Sequence, residues 1–412
     1  MADRPNIVLI MSDQQRYDSL ACNGNKFVVT PELDRLAEQG ARFTKCFTPF
    51  PVCTPARASM WTGVYPHAHG VIENVYGIDN AMASVARVST TLFDILKERG
   101  YSTAYFGKWH LGEKNPGAFD VWEAFNSLGG HWVDGVTYGR YKPDVQTDQC
   151  IDFLRSAARR PQPFIMVQGY YPPHDPFTAP RRFYEPYLGK GVPFPGYYAA
   201  VSNIDYNVGR IVRAVDELGL GENTLVMFFS DHGETFLYRP DGEHKFVCHD
   251  EAIRVPLIVR WTGHVRPGTV HDSIVGLEDL MPTLLDFAGT EVPAYLHGQS
   301  FRPWLAGASP SWRDSYYVEN LTHNNRYPQR CIRTEDWKLI LSDGGPHSLY
   351  NLRDDPEEEL DVFDTPRDDS MKQFAHLPSY RAEIRRLAAQ LRAYAVRIQD
   401  PLGIRLADEV MS

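Results

Sequence analysis

The most regular feature of the sequence is a set of five short apolar runs. They are Ile7–Met11, Thr103–Phe106, Phe164–Val167, Leu225–Phe229 and Val255–Val259. Continuous apolar runs, without polar residues in alternation, are typical of strands that helices cover on both faces. Most of the runs end abruptly in polar residues. This indicates that the strands stop at one edge of a sheet, where side chains are free for chemistry.

Segments with the spacing of amphipathic helices lie between these runs. The first, Thr30–Gly40, has a capping threonine, a proline in its first turn and a terminal glycine. Four others are Thr91–Arg99, Asp148–Arg159, Val201–Leu218 and Leu277–Ala288. The alternation of strand and helix predicts the α/β class, with a large central sheet that is mixed, mostly parallel and sandwiched by helices.

The composition changes after about residue 310, where short strands follow one another with polar turns between them. We expect strands at Asp314–Glu319, Gln329–Arg333, Lys338–Leu341 and from Leu349, and an amphipathic helix at Tyr380–Ile398. We therefore expect a larger α/β domain, residues 1–310, and a smaller C-terminal α+β domain, residues 311–412, with a short antiparallel sheet. The tail Pro401–Ser412 could reach a neighbouring subunit in a homo-oligomer.

The charge of the chain limits its partners. The formal net charge of the 412 residues is −10 at pH 7. This balance argues against nucleic acid or an anionic membrane as the main partner, and no apolar run approaches the length that spans a bilayer. An anionic substrate would have to be attracted locally, by a metal ion and clustered cationic side chains.

Six cysteines are scattered along the chain without a Cys-x-x-Cys pair. In a chain of this length they are typical of free thiols in a reducing compartment. The apolar run Ile7–Met11 is too short for the hydrophobic core of a secretory signal. These features predict a cytoplasmic protein.

One cysteine is distinguished by its neighbours, in the stretch Cys53-Thr-Pro-Ala-Arg57. Proline suits the first position of a helix, and Gly63 suits the position after its end. We therefore expect Cys53 at the positive end of a short helix, with the guanidinium of Arg57 one turn further on. Such a corner stabilises anions and charged transition states. The alternative is a buried cysteine before an ordinary proline-capped helix.

Polar side chains with metal-binding or acid–base chemistry follow the predicted strands. They are Asp13, Lys108, His110, His174, Asp231 and His232. Open α/β sheets build their sites at the carboxyl ends of strands. Two carboxylates brought together there repel each other unless a cation lies between them. Asp13, Asp231 and His232 therefore favour a divalent metal ion, although an isolated aspartate more commonly caps a helix.

Several of these residues belong to longer motifs that follow one another in order. The motifs are Pro5–Arg16, Thr30–Ala37, Cys53–Arg57 with its extension to Gly70, Gly107–Gly112, Pro173-His174, Ser230–Glu234, Lys245 ahead of Arg254–Ile258, Arg333–Ile340 and Leu349–Glu357. In this content and order the chain resembles, nearly from end to end, the sulfatases of the alkaline phosphatase superfamily. The resemblance implies an arylsulfatase-like hydrolase that acts on small-molecule sulfate esters.

The resemblance also implies a nucleophile and the cations around it. Cys53 would be oxidised to formylglycine by a formylglycine-generating enzyme, and one hydroxyl of the hydrated aldehyde would attack sulfur. Arg57 would hold that hydroxyl. Lys108 and Lys245 would neutralise the sulfuryl oxygens as charge shifts toward the leaving group.

Two histidines complete the implied catalytic set. His174 would protonate the leaving oxygen, a task that suits a positioned histidine near neutral pH. His110 would then help the second hydroxyl to expel sulfate and regenerate the aldehyde. An unmodified thiol has no second oxygen and could not perform this last step.

One divalent metal ion, Ca²⁺ or Mn²⁺, is implied as well, held by Asp13, Gln14, the residue made from Cys53, Asp231 and His232. Many sulfatases carry two adjacent aspartates in the first motif, whereas Ser12 takes the first of these places here. This departure leans toward the branch with choline sulfatases and phosphonate monoester hydrolases, which is commonly associated with manganese. Fewer carboxylates and a histidine suit a transition metal better than calcium, although Gln14 could complete a calcium shell.

Two other functions stay open. The first is a phosphonate monoester or phosphodiester hydrolase on the same scaffold, which the sequence Ser12-Asp13-Gln14 favours. The second is a binding protein that retains the substrate pocket but has no catalytic activity. Little supports this alternative, because every recognisable catalytic position is filled. The sequence leaves the natural substrate open among aryl, choline-type and carbohydrate sulfates.

Aromatic residues in the predicted loops are candidates for the substrate pocket, because loops over strand ends carry specificity. They are Tyr170, Tyr171, Phe236, Tyr238 and the pair His131-Trp132. For each of them taken singly, packing in the core is at least as good an interpretation. His67 and His69 are expected to position the Cys53 helix rather than to bind metal.

Overall fold

The computed structural model describes residues 4–76, 80–85, 89–127, 129–237, 244–323, 326–363 and 378–412. All five apolar runs form strands of one eight-stranded sheet. Its strands are β1 (Asn6–Asp13), β2 (Ala41–Phe47), β3 (Ser102–Lys108), β4 (Val121–Phe125), β5 (Phe164–Pro173), β6 (Thr224–Ser230), β7 (Arg254–Arg260) and β8 (Thr269–Gly276).

The strand order in this sheet is β4-β3-β5-β1-β6-β7-β2-β8. Neighbouring strands from β4 to β6 are parallel, and β2 and β8 are parallel to each other. Strand β7 is antiparallel to both of its neighbours, so it alone of these eight strands runs against the rest. The sheet is mixed and mostly parallel, which confirms the predicted fold class.

Helices cover both faces of the sheet. Those described before the C-terminal region are α1 (Pro31–Glu38), α2 (Cys53–Thr62), α3 (Pro66–His69), α4 (Met82–Val85), α5 (Leu92–Glu98), α6 (Lys142–Ala157), α7 (Pro195–Glu217), α8 (Asp250–Ile253), α9 (Leu280–Phe287) and α10 (Arg302–Leu305). The five predicted helices correspond to α1, α5, α6, α7 and α9. Helices α6 and α7 begin earlier than predicted, because Pro143 and Pro195 lie in their first turns.

Strand β1 shows why the apolar runs lack alternation. Ile7, Leu9 and Met11 pack on one face of the sheet, in a core shared with α2, α5 and α9. Val8 and Ile10 pack on the other face, in a core shared with α1, α6 and α7. Every residue of the strand is buried, because both of its faces meet helices.

Three strands of the large sheet carry no apolar run and were not predicted. Strands β4 and β8 lie at the two edges, where most of the β4 residues and the first half of β8 are partly exposed. Strand β2 has buried residues at Ala41 and Phe43, with partly exposed polar residues between and after them. Continuous hydrophobicity marks only strands that are covered on both faces, so it misses strands near the edges.

The C-terminal region forms a second, four-stranded antiparallel sheet, as predicted. Its strands are β9 (Ser315–Leu321), β10 (Pro328–Thr334), β11 (Trp337–Ser342) and β12 (Ser348–Asn351), in the order β12-β11-β10-β9. Helix α11 (Pro378–Ile398) packs against this sheet through Leu387 and Leu391. The predicted helix over Tyr380–Ile398 is therefore confirmed.

The tail Pro401–Ser412, which could reach a neighbouring subunit, has a partner within the chain itself. It forms helix α12 (Pro401–Met411), which folds back on α11 and buries Leu406 and Ala407 in the same core as that helix. The Asp400 carboxylate accepts a hydrogen bond from the Leu402 backbone N–H at 3.1 Å and so caps the new helix. The apolar stripe of the tail thus finds its partner within the chain.

Tyr65, just after α2, joins the two sheets. Its buried hydroxyl lies 3.1 Å from the carbonyl oxygen of Tyr317 in β9, 3.2 Å from the hydroxyl of Tyr394 in α11 and 3.2 Å from Oε1 of Glu278. The helix that begins at Cys53 is therefore anchored to the C-terminal region. Among the helices of the described ranges, none has the length and apolar character needed to cross a membrane.

Candidate active site

Four adjacent strands bring the predicted site residues to one edge of the large sheet. In the order β3-β5-β1-β6, Lys108 ends β3, His174 follows β5, Asp13 ends β1 and Asp231 follows β6. These four strands are parallel, so their carboxyl ends lie side by side. The predicted residues therefore converge at the place where open α/β sheets build sites.

Helix α2 brings Cys53 to the same place. The helix begins at Cys53 itself, so Pro55 lies third in the first turn and not at the predicted first position, where its missing N–H still costs no helical hydrogen bond. All ten of its residues are buried, and Gly63 ends it in the left-handed conformation with φ 67°. The free N–H of Thr54 donates to Oδ1 of Asn74 at 3.0 Å.

His69 positions this helix, as the sequence indicates. Its Nε2 lies 2.9 Å from the hydroxyl of Ser59 within α2, and its Nδ1 accepts from the N–H of Val71 at 3.1 Å. Both ring nitrogens are engaged in structure, and burial lowers the pKa of His69 to about 3. The ring is therefore a neutral brace.

Asp13, Cys53, Asp231 and His232 form a compact, fully buried cluster. One ligand atom from each lies within 4.8 Å of the others. Sγ of Cys53 is 3.1 Å from Nε2 of His232 and 3.6 Å from Oδ1 of Asp13. The carbonyl of Gly233 lies 2.9 Å from Nδ1 of His232. Because a carbonyl only accepts, it fixes the proton on Nδ1 and turns the Nε2 lone pair toward the cluster.

The two carboxylates use their oxygens for different partners. Arg57 binds the Oδ2 atom of each, at 2.8 Å for Asp13 and 2.9 Å for Asp231. The Oδ1 atoms face His232 instead, with Nε2 at 4.0 Å from Asp13 and 3.8 Å from Asp231. Two carboxylate oxygens and one imidazole lone pair thus converge, and this donor set fits a divalent metal ion.

The ionisation of the carboxylates follows from these contacts. Burial would raise the pKa of Asp13, but Lys108 and Arg57 hold it well below its ordinary value. The Nζ of Lys108 lies 2.6 Å from Oδ2 of Asp13. Burial, and then the charge of Asp13, raise the pKa of Asp231. The pair is held together by cations, as predicted for two carboxylates at close range.

Two lysines converge on Cys53. The Nζ atoms of Lys245 and Lys108 lie 3.4 and 3.7 Å from Sγ. Burial would raise the pKa of the Cys53 thiol, but Lys108, Lys245 and His232 together lower it well below its ordinary value. The position occupied by Sγ is therefore one where negative charge is strongly stabilised.

Gln14 lies beside the cluster rather than clearly within it. Its backbone has φ 64°, and its N–H donates to Oδ1 of Asp231 at 3.0 Å. Its side-chain Oε1 accepts from Nζ of Lys245 at 2.7 Å, and its Nε2 donates to the buried Glu234. The side chain therefore positions Lys245, and its role as a metal ligand stays a prediction.

His174 stands at the open side of the site. Its Nε2 lies 3.0 Å from Nζ of Lys245, and its Nδ1 lies 2.9 Å from Oδ1 of Asp175. Burial and the two active-site lysines would lower the pKa of His174, but the hydrogen bond to Asp175 and the Cys53 sulfur raise it above its ordinary value. This is the environment of a histidine that can carry a proton.

His110 has the opposite character. Its backbone has φ 56°, its Nε2 lies 3.1 Å from the carbonyl of Val75, and its ring lies beside the sulfur of Cys53. Burial and then Lys108 lower the pKa of His110 to about 4. His110 is therefore neutral at pH 7, with one ring nitrogen available.

The predicted pocket residues separate into two groups. Tyr171 and His131 lie at the site, since the Tyr171 ring is 4.3 Å from Nζ of Lys108 and its centroid is 4.9 Å from that of His131. Tyr170 belongs to the core, which corrects the prediction, because its side chain points to the opposite face of β5 and its hydroxyl meets that of Thr147 at 2.6 Å.

Phe236 and Trp132 are held mainly by packing. The Phe236 ring stacks on Phe194 at 4.2 Å, and Trp132 packs against Tyr141 with its centroid 4.8 Å away. Tyr238 lies outside the described residues.

Two residues of the site were not singled out by sequence reasoning. Glu234 is fully buried. Its carboxylate accepts a hydrogen bond from Nε2 of Gln14 and lies 2.8 Å from Nδ1 of His244. Asp175 supports His174. Asp175 directly follows His174, and Glu234 ends the motif that contains Asp231 and His232. Their closeness in sequence to these residues was the signal that could have identified them, since the residue type alone gave none.

The site surrounds the Cys53 sulfur with cations and a candidate metal cluster, an arrangement suited to an anionic substrate. The comparison with known protein families identifies the family to which the chain belongs. The family model described as Sulfatase matches residues 5–290, and the chain belongs to this family. A second model, described as N-sulphoglucosamine sulphohydrolase, C-terminal, matches residues 242–381. The protein is a sulfuric ester hydrolase.

Individual relatives agree with this assignment. The chain is 29% identical over 413 residues to an ulvan-active sulfatase of Formosa agariphila, covering 90% of this chain and 79% of the relative. It is 29% identical over 437 residues to arylsulfatase A of Homo sapiens, covering 88% of this chain and 84% of the relative.

Solved structures share the fold. The phosphonate monoester hydrolase of Agrobacterium radiobacter superposes with a TM-score of 0.77 at 23% identity, covering 96% of each chain. A protein solved in complex with its substrate D-glucosamine-2-N,6-O-disulfate superposes with a TM-score of 0.80 at 23% identity, covering 97% of this chain and 99% of that one.

Proposed function

We propose that the protein hydrolyses sulfate monoesters to an alcohol and inorganic sulfate, with a formylglycine made from Cys53 as the nucleophile. The observation that carries this proposal is the position of Cys53 Sγ. It lies within 3.7 Å of Lys108, Lys245, His232 and Asp13. An oxygen nucleophile at this position would meet a sulfuryl group where cations already converge.

The first half of the reaction forms a sulfated enzyme. One hydroxyl of the hydrated aldehyde releases its proton to water, because the two lysines that converge on this position stabilise negative charge there. Its oxygen then attacks sulfur, a new S–O bond forms, and the bond from sulfur to the ester oxygen breaks. His174 gives its proton to that oxygen, so the alcohol leaves neutral. The side chain of Arg57, a residue of α2, forms ion pairs with Asp13 and Asp231 and so holds both carboxylates beside the nucleophile.

The second half releases sulfate. The remaining hydroxyl gives its proton to the neutral ring of His110, the aldehyde forms again, and the carbon–oxygen bond to sulfate breaks. The lowered pKa of His110, about 4, suits a group that is unprotonated when this step begins. Water then rehydrates the aldehyde, His110 releases its proton to water and His174 takes one up, so the cycle closes without any external oxidant or reductant.

Asp13, Asp231 and His232 would hold one divalent metal ion, with the residue made from Cys53 and Gln14 as the further ligands. When bound, this ion supplies a fixed positive charge that polarises the sulfuryl oxygens. The mixed oxygen and nitrogen donor set supports Mn²⁺ more than Ca²⁺. Lys108 and Lys245 extend the positive charge toward the remaining sulfuryl oxygens.

The test combines the mass of the Cys53 peptide with turnover. The chain is produced together with a formylglycine-generating enzyme, and release of sulfate from an aryl sulfate is measured. We expect a peptide with an aldehyde in place of the thiol, together with sulfate release, and loss of both in Cys53→Ser. An unmodified cysteine in the natural host, or no sulfate from any ester, would contradict the proposal. Turnover would also exclude a silent binding protein.

A second candidate is a phosphonate monoester hydrolase. It is favoured by Ser12 beside Asp13, which leaves one carboxylate from β1 in the cluster. The fold likeness to the Agrobacterium radiobacter enzyme is compatible with it. The discriminating quantity is kcat/KM for a matched aryl sulfate and aryl phosphonate monoester, and a clear preference for phosphorus would favour this candidate.

A further inference from the structure

His131 is a buried histidine that is unpaired among the described residues. Its side chain is 2% exposed, and neither Nδ1 nor Nε2 has a hydrogen-bond partner there. A buried polar group without a partner costs about as much free energy as a lost hydrogen bond. Such groups are uncommon in native proteins, and each one requires a physical explanation.

Backbone hydrogen bonds hold the loop that carries His131 against the residues that begin α6. The carbonyl of His131 accepts from the N–H of Lys142 at 2.9 Å, and a backbone bridge joins Trp132 to Tyr141. The hydroxyl of Tyr141 donates to the carbonyl of Thr178 at 2.7 Å. The imidazole is therefore presented by a braced segment at the start of α6.

The ring faces the site across Tyr171. His131 packs edge-on against Tyr171, with centroids 4.9 Å apart and planes at 84°. The same Tyr171 ring contacts His174, at 5.0 Å between centroids, and Nζ of Lys108 at 4.3 Å. His131 therefore lies one aromatic ring away from His174, beside which the alcohol part of the ester would lie in the proposed mechanism.

The ring is uncharged. Burial, and then the charges of His174 and Lys108, lower the pKa of His131 to about 3. A neutral imidazole offers one N–H donor and one lone pair. A hydroxyl group, which can both donate and accept, matches either nitrogen.

We propose that His131 binds a hydroxyl group next to the ester oxygen, and that the enzyme therefore prefers sulfate esters whose alcohol carries a neighbouring hydroxyl. This inference rests on the proposed function, since it concerns the leaving-group side of the same site. A site built to hydrogen-bond a hydroxyl rejects the analogue that lacks it, because its buried polar group stays unpaired.

The experiment measures binding of two esters that differ by this hydroxyl, 4-nitrocatechol sulfate and 4-nitrophenyl sulfate. Calorimetry on the full chain with Cys53→Ser, which does not turn over, gives the ratio of their Kd values. We expect a preference of about tenfold for the hydroxylated ester. His131→Phe, which keeps the ring packing, should bring the ratio close to one, and His131→Gln should restore part of it.

The matched control is His264→Ala, which removes an exposed histidine from the loop after β7 and should keep the original ratio. Failure to bind the hydroxylated ester, equal binding of both esters, or a preference that survives His131→Phe would overturn the inference. Sulfate release by the unmutated enzyme is measured separately. No release together with the expected loss of preference would count against the proposed function and for the role of His131.

Discussion

The ammonium Nζ of Lys245 lies 3.0 Å from Nε2 of His174. Because an ammonium can only donate, Nε2 accepts in this contact, and the proton of the neutral ring is on Nδ1, toward Asp175. His174 cannot give a proton from Nε2 until Lys245 has turned to another acceptor. The oxygens of a bound sulfuryl group are such acceptors. In the proposed mechanism, substrate binding and protonation of His174 are therefore coupled through Lys245.

The role of His174 predicts how His174→Ala depends on the leaving group. For esters of alcohols with high pKa, kcat should fall by roughly a hundredfold or more, because no acid protonates the departing oxygen. Esters of acidic phenols need little protonation and should be nearly spared. The measurement is kcat/KM over a series of esters with leaving groups of increasing pKa.

Elemental analysis of the same variant provides the control. His174 is not among the clustered ligand atoms, so His174→Ala should keep its metal. A uniform loss of rate over the series, or a loss of metal, would show that His174 has another role.

The contact between Asp175 and His174 leads us to expect that replacing Asp175 changes the pH dependence of kcat/KM. Its carboxylate raises the pKa of His174, and an acid that must be protonated loses activity as the pH rises through its pKa. Asp175→Asn removes the charge, so the pKa of His174 should fall and the alkaline limb of the kcat/KM profile should move to lower pH. We expect a shift of about one pH unit.

A surface variant of the same chemistry, Asp152→Asn, checks this assignment. Asp152 pairs with Arg155 on an exposed face of α6, and its loss should leave the alkaline limb in place. If Asp175→Asn lowers kcat/KM equally at all pH values, Asp175 does not act through the acid.

Asp231→Ala predicts loss of metal together with loss of stability. The variant removes one oxygen donor and one of the two carboxylates that face Arg57. Bound metal and turnover should both be lost. Breaking a buried ion pair leaves an uncompensated charge, so the free energy of unfolding should fall by about 3–5 kcal/mol. Elemental analysis and denaturant unfolding measure the two effects.

Asp205→Asn is the matched control for a buried carboxylate outside the site. The Asp205 oxygen accepts from the N–H of Leu33 at 2.7 Å, at the start of α1. Its replacement should leave metal and activity intact. A metal content in Asp231→Ala equal to that of the unmutated chain would refute the assignment of Asp231 as a ligand.

The environment of His67 leads us to expect that the free energy of unfolding decreases at high pH. Its Nδ1 lies 2.5 Å from Glu319 in β9, and its Nε2 lies 3.0 Å from the carbonyl of Ile398. Burial opposes the charged ring, but Glu319 and then Asp400 raise the pKa of His67 above its ordinary value. The stacked His297, whose pKa is lowered to about 4, adds no positive charge at neutral pH.

A raised pKa in the folded state stabilises the protein below the unfolded pKa, and this contribution is lost as pH rises through the folded pKa. His67→Gln should therefore lower Tm clearly at pH 6 and much less at pH 9, with a difference of about 1–2 kcal/mol in unfolding free energy. His264→Gln, at an exposed position, should show no such dependence. Equal destabilisation at both pH values would mean that the ring acts through packing alone.

The large sheet and its active edge were predictable because they follow from residue type and order. Asp13 and Asp231 each end an apolar run, and parallel strands place such ends together. What the sequence could not show is which side chain faces the site. Tyr170 and Tyr171 are adjacent and chemically alike, yet the alternation of β5 sends one into the core and the other to Lys108.

The C-terminal tail marks another boundary of sequence reasoning. Pro401–Met411 carries an apolar stripe that needs a partner, but the stripe does not say whether the partner is α11 or a second chain. The identity of the metal, the cytoplasmic location and the division at residue 310 stay predictions for the same reason. Each depends on something other than the order of residue types.

Complete burial of helix α2 has a consequence for the order of events during biosynthesis. Cys53 is 0% exposed, and every other residue of the helix is buried as well. A modifying enzyme has to hold several residues on either side of the thiol, and the folded chain offers none of them. The proposed conversion of Cys53 to an aldehyde would therefore have to precede closure of the sheet over α2. A molecule that folded first would keep its thiol and would lack the proposed nucleophile.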